Sequence, residues 1–488
     1  MRNICIAIAI FVWCSACNDW LDVQPKSQLA REELFNDYAG FKDALTGCYM
    51  SMCADDAYGL KLTMQVPDIM AQLWTVNPNG ELNDYQSIKD FAYHSETSQD
   101  VFKSIWAGLY RVIVQANAII EKVEVNAGVF PSERERAIVE AEARAIRACC
   151  HLDVLRLFGQ MPKGAVKTVA LPYTEDVSRE AKIYYTYEEF CSKLENDLNR
   201  AATLLKEYDV VCEDDNWTTW GLSTYGTDKL LTNRDLHFNY FAVKALQARY
   251  YLYVGKRAEA YAAAKEIVEH EYAGKLADNS DYKNGYYTKP SEALFHLNRS
   301  DWNNTKNREV FGTIDRSEAP VYIAVAYLTE LYPNSLVDDR YKYDFNPNKV
   351  NNGNLPEPIL QKYYQNDYLI GTTPSDKDRI HRIQVVPVLR ASEMYLVVME
   401  TSDDLSEVNR LYYEFMAHRN VLVDEQAFGS FEAARQEVVD EYRREFYGEG
   451  QMFFVYKRTG AVTMKWGEGN VGESQYIVPV PLTEYSAN

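Results

Sequence analysis

The chain has 488 residues, of which 47% are hydrophobic and 25% are charged; this composition indicates a globular protein with one large core or two ordinary ones. The formal net charge is −20 and the sequence contains no basic block, so no nucleic-acid partner is expected. Tyrosine is used unusually often: 37 tyrosines occur beside 19 phenylalanines and 8 tryptophans, which favours either dense aromatic packing or a ring-stacking surface.

The first residues have the pattern of an export signal. The apolar run Ile4–Trp13 follows Arg2; it is too short to span a bilayer and is typical of the hydrophobic region of a signal peptide. Small residues directly precede Cys17, as at a bacterial lipoprotein cleavage site, although Cys14 stands where leucine is usual. The pattern predicts a signal peptide at 1–16, acylation of Cys17 and a lipid anchor in a membrane. An ordinary secretory signal is the alternative.

Two amphipathic helices are predicted in the first quarter of the chain. The first begins near Glu32 and ends near Gly47. Its apolar face consists of Leu34, Tyr38, Phe41 and Leu45. The second is predicted over Val101–Val125, after a stretch rich in turn signals. Its inward face consists of Phe102, Ile105, Trp106, Leu109, Ile113 and Ala116.

The segment Glu140–Pro162 has the clearest helical pattern in the chain. One apolar row consists of Ala141, Ala145, Ala148, Leu152 and Leu155, and an adjoining row of Val139, Ala143, Ile146, Cys150 and Leu157. Two apolar rows with small residues predict a helix that is gripped on two sides by other helices. Three arginines, Arg144, Arg147 and Arg156, fall on the remaining face. Gly159 is expected to close the helix with a positive φ, and Pro162 prevents its resumption.

Further helices follow at Glu188–Tyr208 and in Asn239–Glu271, where two helices join at Gly255-Lys256. In the pair, Ala245, Ala248 and Leu252 are predicted to face Ala258, Ala262 and Ile267. The pair resembles a tetratricopeptide unit, in which small residues allow two helices to approach closely. Arg390–Val421 has the same outline, so several such pairs are expected to stack without being contiguous in sequence.

Residues 272–389 interrupt this repeat. They contain half of the 16 prolines and two short β-like pieces, Ala293–Leu297 and Ile383–Leu389. So long an interruption within a repeat protein is usually functional. We therefore predict a mainly α fold, a tetratricopeptide-like helical scaffold with a loop-rich, partly β insertion that carries the ligand surface. The expected parts are a helical part at 17–271, the insertion at 272–389 and a C-terminal helical part at 390–488 that packs on the same scaffold.

Motifs for catalysis, cofactors or metals are sparse. The GxGxxG string at 467–472 lies too near the C-terminus for a βαβ unit, and the seven histidines show no ligand spacing. The acidic residues fall mostly on helix faces, where solvation explains them. Six cysteines follow Cys17 and form no CxxC pair; Cys149 and Cys150 are expected to pack as small hydrophobic residues. The prediction is a protein without catalysis, cofactor or metal.

Three loops combine aromatic rings with short amide and carboxylate side chains, the mixture that suits the apolar face and hydroxyl rim of a sugar. They are 74–85, 214–225 and 286–308, and their candidate ligand-binding residues are Trp74, Asn77, Trp217, Trp220, Tyr225, Tyr286, Trp302 and Asn303. Replacing Trp217 or Trp302 by Ala is expected to weaken glycan binding without lowering the melting temperature. The alternative is that each tryptophan plugs the base of its own loop. Trp106 and Trp466 are assigned to packing.

Four strings in the chain resemble the SusD/RagB family of cell-surface nutrient-binding lipoproteins of gut-type bacteria. They are the start at Cys17, the helix Glu140–Pro162, the segment Tyr442–Gly460 and the closing Ile477–Leu482. The resemblance covers the mature chain, although Gln451 stands where His is common and Val455 where Asp is common.

The resemblance implies a surface-exposed lipoprotein of the cell outer membrane that captures an oligosaccharide or polysaccharide and passes it to a TonB-dependent SusC-like transporter. A RagB-like receptor for peptides is the main alternative. A hydrolase of surface glycans and a structural scaffold are the others.

Overall fold

A computed structural model describes residues 32–77, 84–178, 181–213, 228–299, 301–302, 304–311, 320–334, 336–345, 360–364 and 384–484. Cys17 and the candidates Trp217, Trp220, Tyr225 and Asn303 lie outside these residues. Within them the chain is mainly helical, and its strands are short and paired two by two.

Among the described residues, the first eight α-helices are α1 Tyr38–Met52, α2 Val66–Met70, α3 Asp84–Lys89, α4 Glu96–Val123, α5 Glu133–Phe158, α6 Tyr187–Tyr208, α7 Tyr240–Val254 and α8 Arg257–Val268. The next eight are α9 Asn279–Lys283, α10 Asn304–Phe311, α11 Val325–Leu331, α12 Ala391–Thr401, α13 Leu405–Ala417, α14 Phe431–Glu445, α15 Met452–Thr459 and α16 Glu473–Tyr476. The strands are β1 Thr75–Val76, β2 Leu171–Pro172, β3 Tyr184–Tyr185, β4 Ala293–Asn298, β5 Val321–Tyr322 and β6 Val385–Arg390.

The long helices form one continuous stack. Helix α4 packs on α5, α5 on α6, α6 on α7 and α7 on α8, and α1 covers α4 and α5. Helix α8 then packs on α12, which also contacts α13 and α14, although the insertion separates α8 from α12 in sequence. The structure confirms a mainly α fold with a tetratricopeptide-like scaffold.

Helix α5 is enclosed as predicted, since both of its apolar rows are buried. Its third face differs from a solvated one: Arg147 and Arg156 are also buried, and Arg147 Nη2 lies 2.6 Å from Asp197 Oδ1. A guanidinium taken out of water needs such a charged partner.

The end of α5 corrects one prediction. Gly159 has φ −73° and ψ 166°, an extended conformation, so the helix is not closed by a positive φ. Glycine is required there because a Cβ would lie 2.4 Å from the carbonyl oxygen of Leu155. The last carbonyls are satisfied by the buried Lys457, whose Nζ donates to Arg156 O and Gly159 O at 2.8 Å each.

The predicted first helix is divided in two: residues 32–34 are helical, and α1 begins after a short break. Asp37 caps it, with a carboxylate oxygen that accepts from Gly40 N at 2.8 Å, so the helix begins at Tyr38. Leu34 therefore precedes the helix and is exposed, whereas Phe41 and Leu45 are buried as expected. Gly47 lies inside α1, which continues to Met52 and so extends beyond the predicted end near Gly47.

The α7–α8 pair joins at Gly255, whose φ of 83° closes α7, as the sequence predicts. The buried face of α8 was placed wrongly, however, because Ala258 and Ala262 are exposed. The residues that α8 buries are Ala260, Ala263, Ala264 and Ile267. Both alanine rows have helical spacing, and contact with α7 and α12 decides which of them is covered.

The two predicted β pieces of the insertion pair with each other. Strands β4 and β6 are antiparallel, with His296 opposite Pro387 and Asn298 opposite Val385. A second antiparallel pair joins β1 to β5, with Thr75 opposite Tyr322, and so attaches the first aromatic loop to the insertion.

A buried group of opposite charges joins the insertion to the C-terminal helices. We call it the ionic cluster; it consists of Lys289, Glu292, Asp338, Arg340, Asp344, Lys362, Arg390, Arg419, Glu441, Glu445 and Glu449. At its centre Glu445 lies 2.7 Å from Arg390 Nη1 and 2.9 Å from Arg419 Nε. The expectation that acidic residues occupy solvated helix faces is wrong for these carboxylates.

The electrostatics of the ionic cluster follow from its geometry. Burial alone would raise the pKa of Glu445, but the nearby Arg419, Lys289 and Arg390 outweigh that effect and hold its pKa well below the usual range. The carboxylate is therefore ionised in the folded protein, and its stability depends on the cations around it.

Two further findings concern the part of the chain that the structure describes. No helix there is both long and apolar enough to cross a membrane. The six cysteines there are free, and Cys149 and Cys150 are buried in α5 as predicted.

Candidate functional site

An open cleft of about 1020 Å³ lies where the last turns of α1, the segment after it and the loop after β4 meet. Residues from several distant parts of the chain line it, among them Tyr49, Asp55, Asp56, Lys61, Arg111, His237, Arg299, Asp301 and Lys306. Arg299, Asp301 and Lys306 belong to the third aromatic loop of the sequence analysis. That loop therefore reaches a cleft, as a ligand surface requires.

The floor of the cleft is fixed by a tight backbone turn. After α1 the chain folds back so closely that a Cβ on Gly59 would lie 1.9 Å from the carbonyl oxygen of Cys53, which only glycine permits. The carbonyl oxygen of Gly59 accepts a hydrogen bond from Nη1 of the buried Arg299. The turn and the loop after β4 are thus held together by one guanidinium.

The same guanidinium organises two carboxylates at the rim. Arg299 Nε lies 3.0 Å from Asp301 Oδ1, and its Nη2 donates to Asp55. Lys306 Nζ lies 3.2 Å from Asp55 Oδ1 and 3.3 Å from Asp301 Oδ2. Hydrogen bonding from Arg299 lowers the pKa of Asp301 to about 2, so this carboxylate is ionised and offers fixed acceptor atoms to the cleft.

The adjoining wall of the cleft carries a second ion pair and a lysine ammonium that donates to a neutral hydroxyl group. Arg111 Nη2, from α4, lies 2.7 Å from Asp56 Oδ1. Lys61 Nζ donates to the hydroxyl of Ser104 at 2.7 Å. Burial lowers the pKa of Lys61, and the nearby Asp56 and Asp55 partly oppose the shift.

Two aromatic rings complete the wall, and a buried carboxylate positions both. Tyr49 OH donates to Glu142 Oε2 at 2.7 Å, and His237 Nδ1 lies 2.9 Å from the same oxygen. The two rings meet edge to face with centroids 5.3 Å apart. Burial would raise the pKa of Glu142, but His237 and Arg234 lower it to about 2. Rigid donors, acceptors and ring edges of this kind suit a ligand with many hydroxyl groups.

The tryptophan candidates in the described residues do not line this cleft. Trp74 is 1% exposed; its ring stacks on Phe311 at 5.6 Å and meets Tyr447 edge-on at 4.9 Å. Trp302 is 2% exposed, and its Nε1 donates to Tyr363 O at 2.9 Å. Both tryptophans fill the base of their loops, which is the alternative that the sequence left open.

Trp302 nevertheless contacts a residue that lines the cleft, since the guanidinium carbon of Arg299 lies 5.2 Å from the centre of its ring. Tyr286 is buried, and so is Asn77, whose backbone N–H donates to Pro320 O at 3.0 Å. Contact of these four candidates with a ligand stays a prediction.

The sequence analysis does not single out the residues of the adjoining wall. The adjacent carboxylates Asp55 and Asp56 are the one local signal that could have marked it. Lys61 and Arg111 have the appearance of ordinary solvated residues in the sequence. His237 was counted only as one of the scattered histidines.

Trp466 was assigned to packing, and the structure places it at the surface margin. Its half-buried ring is parallel to that of Tyr327, with centroids 4.4 Å apart, and its Nε1 donates to Glu330 at 2.8 Å. Its backbone has φ 64°, a conformation that is unusual for a residue with a side chain.

The fold and the cleft define a class of protein: a stack of paired helices with a loop-rich insertion that lines part of a polar cleft. Residues 19–213 match a SusD-like family that is described as starch-binding and associating with the outer membrane. A SusD-like protein of Formosa agariphila is 26% identical over 168 residues, which are 33% of this chain and 31% of that protein. The chain spans less than a third of the length of the curated relatives it matches.

Solved structures match over nearly the whole chain. A SusD superfamily protein from Bacteroides thetaiotaomicron aligns with a TM-score of 0.69 at 18% identity, covering 93% of this chain and 98% of that one. A laminarin-binding SusD-like protein aligns with a TM-score of 0.67 at 18% identity, with the same coverage. At this identity the likeness shows the fold. Together with the sequence matches over the first part of the chain, it shows that the chain is similar to SusD-like proteins.

Proposed function

We propose that the protein is a cell-surface glycan-binding protein that captures an oligosaccharide in the cleft and passes it to a TonB-dependent SusC-like outer-membrane transporter. The observation that carries the binding step is the cleft rim, where Arg299 fixes the carboxylates of Asp55 and Asp301. Carboxylates held in this way can accept hydrogen bonds from sugar hydroxyls without first losing side-chain freedom. The starch-binding description of the family and the laminarin-binding structural relative support this proposal.

Isothermal titration calorimetry of the purified protein against a broad panel of plant and host oligosaccharides tests the binding step. We expect one class of glycan to bind and Asp301→Asn to weaken that binding about tenfold, because a charged hydrogen-bond acceptor is lost. Asp301 has a side chain that is 64% exposed, so the variant should keep the melting temperature of the parent. Asp403→Asn is the matched control: this carboxylate is 94% exposed, pairs with Arg257 and does not line the cleft.

Titrations with peptides and an assay for reducing ends separate the remaining alternatives. Binding of peptides and not of sugars would support the RagB-like receptor. Release of reducing ends from a polysaccharide by the protein alone would establish a hydrolase.

The membrane anchor and the transporter rest on the resemblance and on the segment around Cys17. We expect metabolic labelling with a fatty-acid analogue to tag the protein in the outer-membrane fraction and Cys17→Ala to abolish the label. A tagged protein should co-purify with a TonB-dependent transporter from detergent-solubilised outer membranes. Recovery of the tagged protein alone would argue against the transfer step and leave glycan binding in place.

A further inference from the structure

The charges of the cleft are matched except for one. Four cations and three carboxylates line it: Lys61, Arg111, Arg299 and Lys306 against Asp55, Asp56 and Asp301. Arg299 and Lys306 share Asp55 and Asp301, and Arg111 pairs with Asp56. Lys61 is the exception: in the described ranges no carboxylate oxygen lies within ion-pair distance of its Nζ, and its bond there is to the neutral hydroxyl of Ser104.

An ammonium in this position is poorly compensated. Lys61 is half-buried, and its pKa is lowered because burial disfavours the charged form. The two closest carboxylates already serve other cations, Asp55 in a bond from Arg299 and Asp56 in a bond from Arg111. A ligand atom that carries negative charge would offset the lost hydration of Lys61, whereas a neutral hydroxyl group would only repeat the contact with Ser104.

Arg111 provides a second cation on the same wall. Its bond to Asp56 uses one hydrogen of Nη2, and a guanidinium has five N–H donors. The side chain is 43% exposed, so the remaining donors can reach a ligand in the cleft. Lys61 and Arg111 therefore give the wall beside the carboxylate rim an excess of positive charge, in a chain whose net charge is −20.

From this placement we infer that the glycan taken by the cleft is acidic: its carboxylate or sulfate group binds Lys61 and Arg111, while its hydroxyl groups face Asp55 and Asp301. The inference rests on the proposed glycan-binding function and names the chemical class of its ligand. It divides the cleft into an anion-binding wall and a hydroxyl-binding rim.

The test is calorimetry with matched pairs of oligosaccharides. One pair is an oligogalacturonate and its methyl ester; the other is a sulfated galactan oligosaccharide and its desulfated form. We expect one acidic member to bind at least tenfold more tightly than its neutral partner, and the pair that shows the preference identifies the anionic group as carboxylate or sulfate. The preference should shrink when the salt concentration rises from 50 to 500 mM, because screening weakens a partly exposed ion pair.

Lys61→Met links the preference to the residue. The variant removes the ammonium and keeps a long apolar side chain, so the acidic and neutral members of a pair should bind it equally. Lys182→Met is the control, since Lys182 is also half-buried but pairs with Asp176 at 2.6 Å and does not line the cleft. Equal melting temperatures of the two variants would show that the effect is local.

The outcomes separate this inference from the function on which it rests. Tight binding of neutral glycans, with no preference for acidic ones and no effect of Lys61→Met, would overturn the inference and leave glycan binding established. A preference that persists in Lys61→Met would also overturn it, because the anion would then bind elsewhere. Failure of every glycan, acidic or neutral, would instead contradict the proposed function itself.

Discussion

Helix α8 packs on α12 and buries three alanines, whereas β6 meets α14 through Arg390 and Glu445. The first contact belongs to the helix stack and depends on small size and apolar area. The second belongs to the ionic cluster and depends on opposite charges at fixed distances. Dispersion and apolar burial have little directionality, so close-packed alanines permit several similar helix arrangements.

Ion pairs behave differently in the interior. Arg390 bonds both Glu445 and Glu449, and a shifted arrangement would leave a charge buried without its partner. Leaving one partner of a buried pair without the other typically costs about 3 to 5 kcal/mol, because the remaining charge is uncompensated. We therefore expect the ionic cluster to fix how the insertion sits on the stack, and with it the position of Arg299 at the start of the loop that reaches the cleft.

The largest loss is expected when the ionic cluster is broken. Arg390→Met removes the cation that contacts Glu292, Glu445 and Glu449, and should lower the free energy of unfolding by about 3 to 5 kcal/mol, because three buried carboxylates lose compensation. Urea denaturation followed by tryptophan fluorescence measures the change.

Arg410→Met is the control for that experiment. Arg410 is 63% exposed and lies 3.4 Å from Glu414, so its loss should cost less than about 1 kcal/mol. Similar losses in the two variants would mean that the ionic cluster contributes no more than a surface ion pair.

The next largest effect concerns Trp302. The sequence predicts that Trp302→Ala weakens glycan binding at an unchanged melting temperature. Because Trp302 is buried in the structure, we expect the variant to lose about 3 kcal/mol of stability as well. Trp466→Ala removes a ring that is only half-buried and stacked on Tyr327, so about 1 kcal/mol is expected there. Thermal unfolding of both variants compares the contributions of the two rings to stability. An unchanged melting temperature for Trp302→Ala would mean that this ring contributes to ligand contact alone.

Features that depend on residues close together in the chain are predicted well from the sequence. The two buried rows of α5 and the turn at Gly255 follow from local spacing, and both are found. The prediction for α8 is wrong because its alanines occupy two rows with equal spacing, and the packing of α7 and of the distant α12 selects one of them.

The charged residues of the ionic cluster and of the cleft likewise could not be predicted from local spacing. Glu292 and Glu445 have no local feature that distinguishes them from carboxylates on a solvated helix face, yet both are buried beside Arg419. Arg299 was within a predicted loop because its neighbours in sequence are aromatic and polar. Lys61 was missed because its role depends on Ser104 and on residues of other segments, which no short pattern records.

A smaller effect tests the helix stack. Ala264 is buried in α8, and Ala264→Leu adds three carbon atoms to a closely packed contact, which should cost about 2 kcal/mol. Ala262→Leu adds the same atoms on the exposed face of the same helix, where the cost should be close to zero. The two variants have equal helix propensity, so their difference in urea denaturation isolates packing. Equal stabilities would show that α8 can shift to make room.

The smallest effect, counted per pH unit, is a pH dependence at the edge of the ionic cluster. Burial raises the pKa of Asp68 to about 8, and hydrogen bonds from the backbone of Gly448 and Gly450 only partly oppose the rise. The folded chain therefore retains a proton that the unfolded chain releases near pH 4. This contribution to stability is complete below that pH and is lost as the pH rises through about 8.

Asp68→Asn should remove the loss of stability that accompanies the rise in pH. Asparagine cannot ionise, and its carbonyl oxygen can still accept from Gly448 N, as Asp68 Oδ2 does at 2.7 Å. Between pH 5 and 8 the free energy of unfolding of the variant should fall less steeply than that of the parent, by up to about 1.4 kcal/mol per pH unit. Parallel curves from urea denaturation at several pH values would mean that Asp68 is ionised in the folded protein, and that the surrounding cations, Lys362 foremost, extend their compensation to it.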